Sequence, residues 1–171
     1  MRHVLLSLVA LGLFCIGCSG PDATAPTADR LVTPQFAAGG VLHRVAVGSH
    51  DFTPPGVDAN FSLTALEKAD GSETGQWSDQ YGHGNGGIHV AVTCVSVVAN
   101  RAWISGLTTD PDFEGHPVIT EVEDNGTSAN DPPDRISFSV IDPAQFGLSA
   151  NCHLHQPLPL FPLQGGEVKV D

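Results

Sequence analysis

A chain of 171 residues is long enough for one domain with a single core, once an N-terminal targeting segment is set aside. It carries 19 acidic and 7 basic side chains, and its formal net charge is −12. Binding to a phosphate backbone needs clustered Lys and Arg, so we expect no nucleic acid partner. An acidic balance instead suits solubility or cation binding.

The N-terminus has the organisation of a secretory signal. Basic Arg2 and His3 precede an apolar run, Val4–Ile16, which ends at the small residue Gly17. The run is too short to cross a hydrocarbon core of about 30 Å, and it has the length and flanks of a signal sequence. We therefore predict a signal peptide over residues 1–17 and an extracytoplasmic location.

The junction between the apolar run and Cys18 resembles the lipobox of bacterial lipoproteins. In that family the cysteine is acylated and becomes the new N-terminus, so the resemblance implies that Cys18 anchors the protein to a membrane. The alternative is ordinary cleavage further along, within the Ala-rich residues 19–28, which would release a freely secreted protein. Residues 18–40 are rich in Pro, Ala, Thr and Gly, and we predict that they form a flexible tether.

After residue 40 the hydrophobic pattern has a period of two, with β-branched runs separated by Gly, Pro, Asn and Asp. This pattern predicts one all-β domain over residues 41–171, an antiparallel β-sandwich or a small β-barrel of about eight strands. The predicted strands are Leu42–Ser49, Asn60–Leu66, Thr74–Asp79, Ile88–Val98, Arg101–Thr108, Val118–Glu123, Arg135–Ile141 and Glu167–Val170.

Two of the four cysteines remain for the domain once Cys15 leaves with the signal and Cys18 takes the lipid. Cys94 and Cys152 are then predicted to form a disulfide, which closes a loop of about 60 residues and contributes about 4 kcal/mol. The alternative for these thiols is a catalytic or metal-binding role. Because Cys94 alternates with Val92 along its strand, it is predicted to face the core.

Four segments of the domain carry a wider resemblance. They are GQWSDQ at 75–80, HVAVTCVSV at 89–97, NRAWISG at 100–106 and VEDNGTSANDPPDRIS at 122–137. They resemble a group of uncharacterised bacterial secreted proteins that look like small all-β envelope domains. The resemblance implies compartment and fold, and it supplies no catalytic residues.

One acidic loop has the spacing of a calcium ligand set. Asp110, Asp112, Glu114 and Glu121 stand at positions 1, 3, 5 and 12 of an EF-hand type loop, and Gly115 stands at position 6. The flanking segments read as strands, so a helix-loop-helix is excluded. The alternative is an acidic hairpin loop whose carboxylates are simply solvated.

A second acidic loop follows over residues 124–134. Asp124, Asn125, Asp131 and Asp134 are candidates to converge on a cation. The same side chains also cap turns through their own backbone, which is the structural alternative.

Histidines offer the other metal hypothesis. His153 and His155 would share a face if their segment is extended, and His83 and His89 are the next candidates. Zinc needs three or four convergent ligands, and the spacing supplies no convincing set. The sequence also contains no G-x-S-x-G nucleophile motif.

We therefore expect an extracytoplasmic, lipid-anchored β-domain that acts as a binding or structural module and is not an enzyme. The alternative is a metal-dependent enzyme that uses His153 and His155 or the acidic loops. No cofactor is expected beyond a structural calcium ion. The expected partners are the membrane, through the lipid anchor alone, and an envelope protein, a glycan or a small ligand.

Overall fold

The structure, a computed structural model, describes residues 40–52, 59–81 and 86–171. Strands dominate these residues, and the helical segments among them are three short 3₁₀ helices, so the predicted all-β class is confirmed. No helix in the described part is long and apolar enough to cross a bilayer. The predicted signal peptide, the lipid site at Cys18 and all of the tether except Gly40 lie outside the described residues.

Nine strands occur in the described part, and we number them in chain order. They are β1 (Val41–Phe52), β2 (Ala59–Lys68), β3 (Glu73–Tyr81), β4 (Gly87–Val98), β5 (Arg101–Thr108), β6 (Pro117–Glu123), β7 (Arg135–Ser137), β8 (Val140–Ile141) and β9 (Leu160–Val170). The 3₁₀ helices span Pro111–Phe113, Pro143–Phe146 and Cys152–Leu154.

All strand pairs are antiparallel, and they form a ring. The neighbours run β5, β4, β3, β2, β1, β9, β7 and β6, and a further pairing of β5 with β6 joins the two ends. β7 pairs with the last residues of β6, and the short strand β8 pairs with residues near the start of β6. A ring of eight strands is consistent with the predicted β-sandwich or small β-barrel.

The core lies on the inner faces of the strands. Leu63, Trp77 and Ile104 are almost fully buried there, and the rings of Phe61 and Trp77 stack with centroids 6.2 Å apart. Burying an apolar side chain of this size contributes about 1.5–3 kcal/mol. All eight strands of the ring contribute apolar residues to this core, and their burial stabilises the fold.

Two of the predicted strands differ from the observed ones by more than the position of their end residues. The single strand predicted over Arg135–Ile141 is two short strands, because the Ser137 hydroxyl accepts the backbone N–H of Glu121 at 2.9 Å and interrupts the ladder to β6. β9 begins at Leu160 instead of Glu167 because its first residues pair with β7. Residues 160–166, LFPLQGG, have the composition of a loop, but pairing with neighbouring strands makes them part of β9.

A β-bulge in β4 reverses the predicted orientation of Cys94. The register to β5 shifts between Val92 and Cys94, so Val92 and Val95 both point into the core. Cys94 lies opposite Ser105 on the outer face, and the prediction that it faces the core is wrong. An extra residue in one strand moves every later side chain to the other face.

Candidate functional site

Residues 142–159, which we call the outer segment, cover the outer face of β4, β5 and β6. The outer segment is joined to β4 by the Cys94–Cys152 disulfide. Trp103 Nε1 on β5 donates a hydrogen bond to the Gln156 carbonyl at 3.0 Å. The domain thus has buried groups on both faces of these strands.

The predicted disulfide is confirmed. The Cα atoms of Cys94 and Cys152 are 5.9 Å apart, which is within the usual range for a disulfide, and Cys152 is fully buried. The bridge ties the 3₁₀ helix Cys152–Leu154 to the strand just after the bulge. The bulge is therefore what presents Cys94 to its partner.

Glu73 and His153 flank the disulfide. Glu73 Oε1 accepts the Val95 N–H at 3.1 Å and lies 3.6 Å from His153 Nε2. Among the described residues, the potential ligand atoms of Glu73, Cys94, Cys152 and His153 lie within 4.8 Å of one another and form the one group of three or more such residues. In the disulfide form the sulfurs are not thiolates, so two ligands remain, fewer than zinc requires.

His153 and His155 do not share a site. Their segment is a 3₁₀ helix and not an extended strand, and His155 follows it with a left-handed backbone, φ 47°. His155 Nε2 lies 2.8 Å from Ser96 Oγ, and the His155 ring packs on Trp103 with centroids 4.8 Å apart. His83 lies outside the described residues.

The residues of the EF-hand-like spacing have separate partners. Asp110 Oδ2 accepts the His89 N–H at 2.6 Å, and Asp110 Oδ1 lies 2.8 Å from His89 Nδ1. The hydrogen bond from the His89 backbone, followed by that from the His89 ring, lowers the pKa of Asp110. Asp112 and Glu114 are exposed around the 3₁₀ helix that follows Asp110, so the structure does not bring the four carboxylates together.

Glu121 is fully buried beneath the outer segment. Glu121 Oε2 accepts the Leu158 N–H at 2.8 Å, and Oε1 accepts from Arg101 Nη1 at 3.3 Å. Burial raises the pKa of Glu121, and the Leu158 hydrogen bond and the Arg101 charge oppose that shift. This carboxylate fastens the outer segment to β6.

The carboxylates of the second acidic loop are occupied by backbone N–H groups. Asp124 Oδ1 accepts from Gly126 N at 2.9 Å, and Asp131 Oδ2 accepts from Ser128 N at 2.8 Å. The Asn125 side chain donates to the Pro133 carbonyl at 2.9 Å. These bonds correspond to the turn-capping alternative for this loop.

Asp134 is mostly buried and accepts two backbone hydrogen bonds. Its Oδ1 accepts from Asn125 N and its Oδ2 from Val168 N, each at 2.7 Å. Asp124 Oδ2 likewise accepts from Val170 N at 3.0 Å. The loop is thereby attached to β9.

Two surface features accompany these groups. A shallow cavity of about 290 Å³ lies on the outer face of β2–β4, where the polar side chains of Ser62, Thr64 and Gln76 can hydrogen-bond water or a hydroxylated molecule. An apolar depression is lined by Phe138, by β8 and by Phe146 and Leu148 of the outer segment, and Phe146 is 69% exposed.

Comparisons with protein-family models, curated proteins and solved structures give no significant match. Functional inference for this chain therefore depends on its own residues. The predicted resemblance to bacterial secreted proteins stays a prediction.

Proposed function

We propose that the protein is an exported, disulfide-stabilised β-domain of the bacterial cell envelope, that it acts as a binding or structural module, and that Cys18 carries its lipid anchor. The observation that carries this proposal is the bond between Cys94 and Cys152. Disulfides persist in oxidising compartments and are rare in the cytosol. The signal-like pattern of residues 1–17 supports the same compartment.

A module role is supported by how the candidate reactive groups are used. Asp110, Glu121 and Asp134 each bind backbone N–H groups and hold one part of the fold to another. His155 contacts Ser96 and Trp103 where the outer segment packs against β4 and β5. Because these side chains stabilise the fold, we expect a ligand to bind at the exposed surfaces instead.

Fractionation of cells that express the full chain tests the export and anchoring. The wild-type protein is expected in the membrane fraction, and Cys18→Ala is expected to leave it. Cys15→Leu is the matched control, because it changes a neighbouring cysteine but keeps the proposed acylation site. Recovery of Cys18→Ala in the membrane fraction as for the wild type would refute the anchor.

Thiol labelling tests the compartment independently. Protein recovered from cells without reductant and then unfolded is expected to leave Cys94 and Cys152 unlabelled by a maleimide. Labelling of both residues would contradict an oxidising location.

Metal analysis separates the module from the alternative, a metal-dependent enzyme. Protein purified without reductant is expected to hold no stoichiometric transition metal and to melt at the same temperature with zinc or with chelator. A calcium-dependent rise in melting temperature would indicate a structural ion and would keep the module role. A bound stoichiometric metal with an open coordination position would overturn that role.

A further inference from the structure

The group around the disulfide contains four residues that supply the three ligand types of a zinc site. Cys94 and Cys152 offer sulfur, His153 offers an imidazole nitrogen and Glu73 offers a carboxylate oxygen. We propose that these residues bind zinc when the disulfide is reduced, so that the metal and the disulfide exclude each other. This site goes beyond the module role, which requires no metal.

The spacing of the atoms fits a tetrahedral ion. Zinc bonds of about 2.0–2.3 Å place two ligand atoms of one tetrahedron about 3.3–3.8 Å apart. Glu73 Oε1 and His153 Nε2 already lie 3.6 Å apart. The sulfurs of Cys94 and Cys152 have only to separate after reduction, and both are within 4.8 Å of the other two ligand atoms.

The fold holds Glu73 and the helix that carries Cys152 and His153 in place by contacts that do not involve the disulfide. Glu73 on β3 accepts the Val95 N–H, which orients its carboxylate towards Cys94. His153 N donates to the side chain of Asn151 at 3.0 Å, and this cap fixes the start of the 3₁₀ helix that carries Cys152 and His153. The His153 side chain is 57% exposed, which leaves an entry path for an ion.

The redox step has a defined balance. Reduction breaks the bond between the two sulfurs and adds two electrons and two protons, supplied by a dithiol that becomes a disulfide or by a phosphine that becomes its oxide with oxygen from water. Both thiols then lose their protons when the metal binds, because the thiolate is the ligand. A disulfide oxidant reverses the change by accepting the two electrons, and with two protons from water it becomes two thiols while the bond between Cys94 and Cys152 forms again and the ion is released.

A cobalt(II) titration of the full chain tests the site, because thiolate-bound tetrahedral cobalt has strong charge-transfer and visible absorption. The protein carries Cys15→Ser and Cys18→Ser, so that Cys94 and Cys152 are its remaining cysteines. It is reduced with a phosphine that is then removed without air. One equivalent of cobalt is expected to bind the reduced protein, zinc is expected to displace it, and the oxidised protein is expected to give no such absorption.

Variants distinguish a built site from two thiols in an unfolded chain. Glu73→Gln keeps an acceptor for Val95 N–H, and His153→Ala removes an exposed ring, so both are expected to fold. Each is expected to weaken cobalt binding at least about tenfold, since even outer-shell changes at metal sites cost that much. Glu114→Gln, at an exposed carboxylate outside the group, is the control and is expected to bind as the parent does.

Two results would overturn the site. One is a reduced protein that binds no cobalt. The other is equal binding by the parent and by the Glu73→Gln and His153→Ala variants, which would show that the thiols alone capture the metal. Circular dichroism of each reduced sample, recorded with and without zinc, shows whether the chain is folded when it binds.

Discussion

Asp134 accepts a hydrogen bond from the backbone N–H of Val168 at 2.7 Å, and this contact completes a part of the sheet that β7 does not reach. β7 pairs only with the first residues of β9, Leu160–Pro162. Further along β9, the carboxylates of Asp134 and Asp124 occupy the positions that strand carbonyls would take. The acidic loop therefore helps to close the ring.

Asp134→Asn is expected to lower the free energy of unfolding by about 1–3 kcal/mol. An amide offers one oxygen, whereas the carboxylate now accepts from two backbone N–H groups, the part-buried one of Asn125 and the buried one of Val168. The midpoint of urea unfolding measures the loss. Asp131→Asn is the matched control. Asp131 is exposed and accepts one N–H through Oδ2, which an amide oxygen can replace. Equal effects of the two changes would contradict this role.

The sequence predicts this fold well where one face of a strand is buried. The limits of β5 are predicted correctly, and those of β4 differ by one residue, since alternation and flanking turn residues determine both. The bulge at Thr93 is not predicted because Val92, Thr93 and Val95 are all β-branched and suit either face. The predicted orientation of Cys94 is wrong for the same reason.

The candidate site is predicted in part. The pairing of Cys94 with Cys152 follows from counting cysteines, whereas Glu73 carries no spacing signal. Glu73 reaches the group through the register of β3 against β4, which is a tertiary property. Burial of Glu121 likewise depends on the outer segment, whose path over β6 the local sequence does not encode.

The disulfide is expected to contribute about 4 kcal/mol to the free energy of unfolding. Cys94→Ala and Cys152→Ala should each lose a similar amount without reductant, and the double variant should lose little more, since either change removes the same bridge. Urea unfolding with and without a phosphine measures this. As a control, the phosphine is expected to lower the free energy of unfolding of the wild type and to leave that of the double variant unchanged. Additive losses in the double variant would contradict the bridge.

Asp110 is expected to stabilise the fold above the pH range in which an unfolded Asp titrates. The His89 backbone N–H, followed by its ring, lowers the pKa of Asp110 in the folded state. Its contribution is therefore lost as pH falls through the folded pKa. Asp110→Asn should be less stable than wild type at neutral pH, and the difference should disappear in acid. Asp112→Asn, which removes one carboxylate at an exposed neighbour, is the control for the change in net charge in the same melts.

Glu121 is expected to have the opposite dependence on pH. Burial raises the pKa of this carboxyl in the folded state, so the folded protein holds the proton more tightly than the unfolded chain. The free energy of unfolding therefore falls as pH rises from the unfolded pKa through the folded pKa. Glu121→Gln cannot ionise and keeps an oxygen for the Leu158 N–H. Between the unfolded and the folded pKa, the free energy of unfolding of wild type should fall relative to that of this variant. Above the folded pKa, the difference between the two proteins should stay constant.

Urea unfolding of both proteins at a series of pH values measures the Glu121 effect. Glu114→Gln removes one carboxylate at an exposed position and is the control for the change in net charge. The opposite result is that the free energy of unfolding of wild type rises relative to that of Glu121→Gln as pH increases. It would show that the Arg101 and Leu158 contacts outweigh burial. Glu121 would then favour its charged form, and its pKa would lie below the ordinary value.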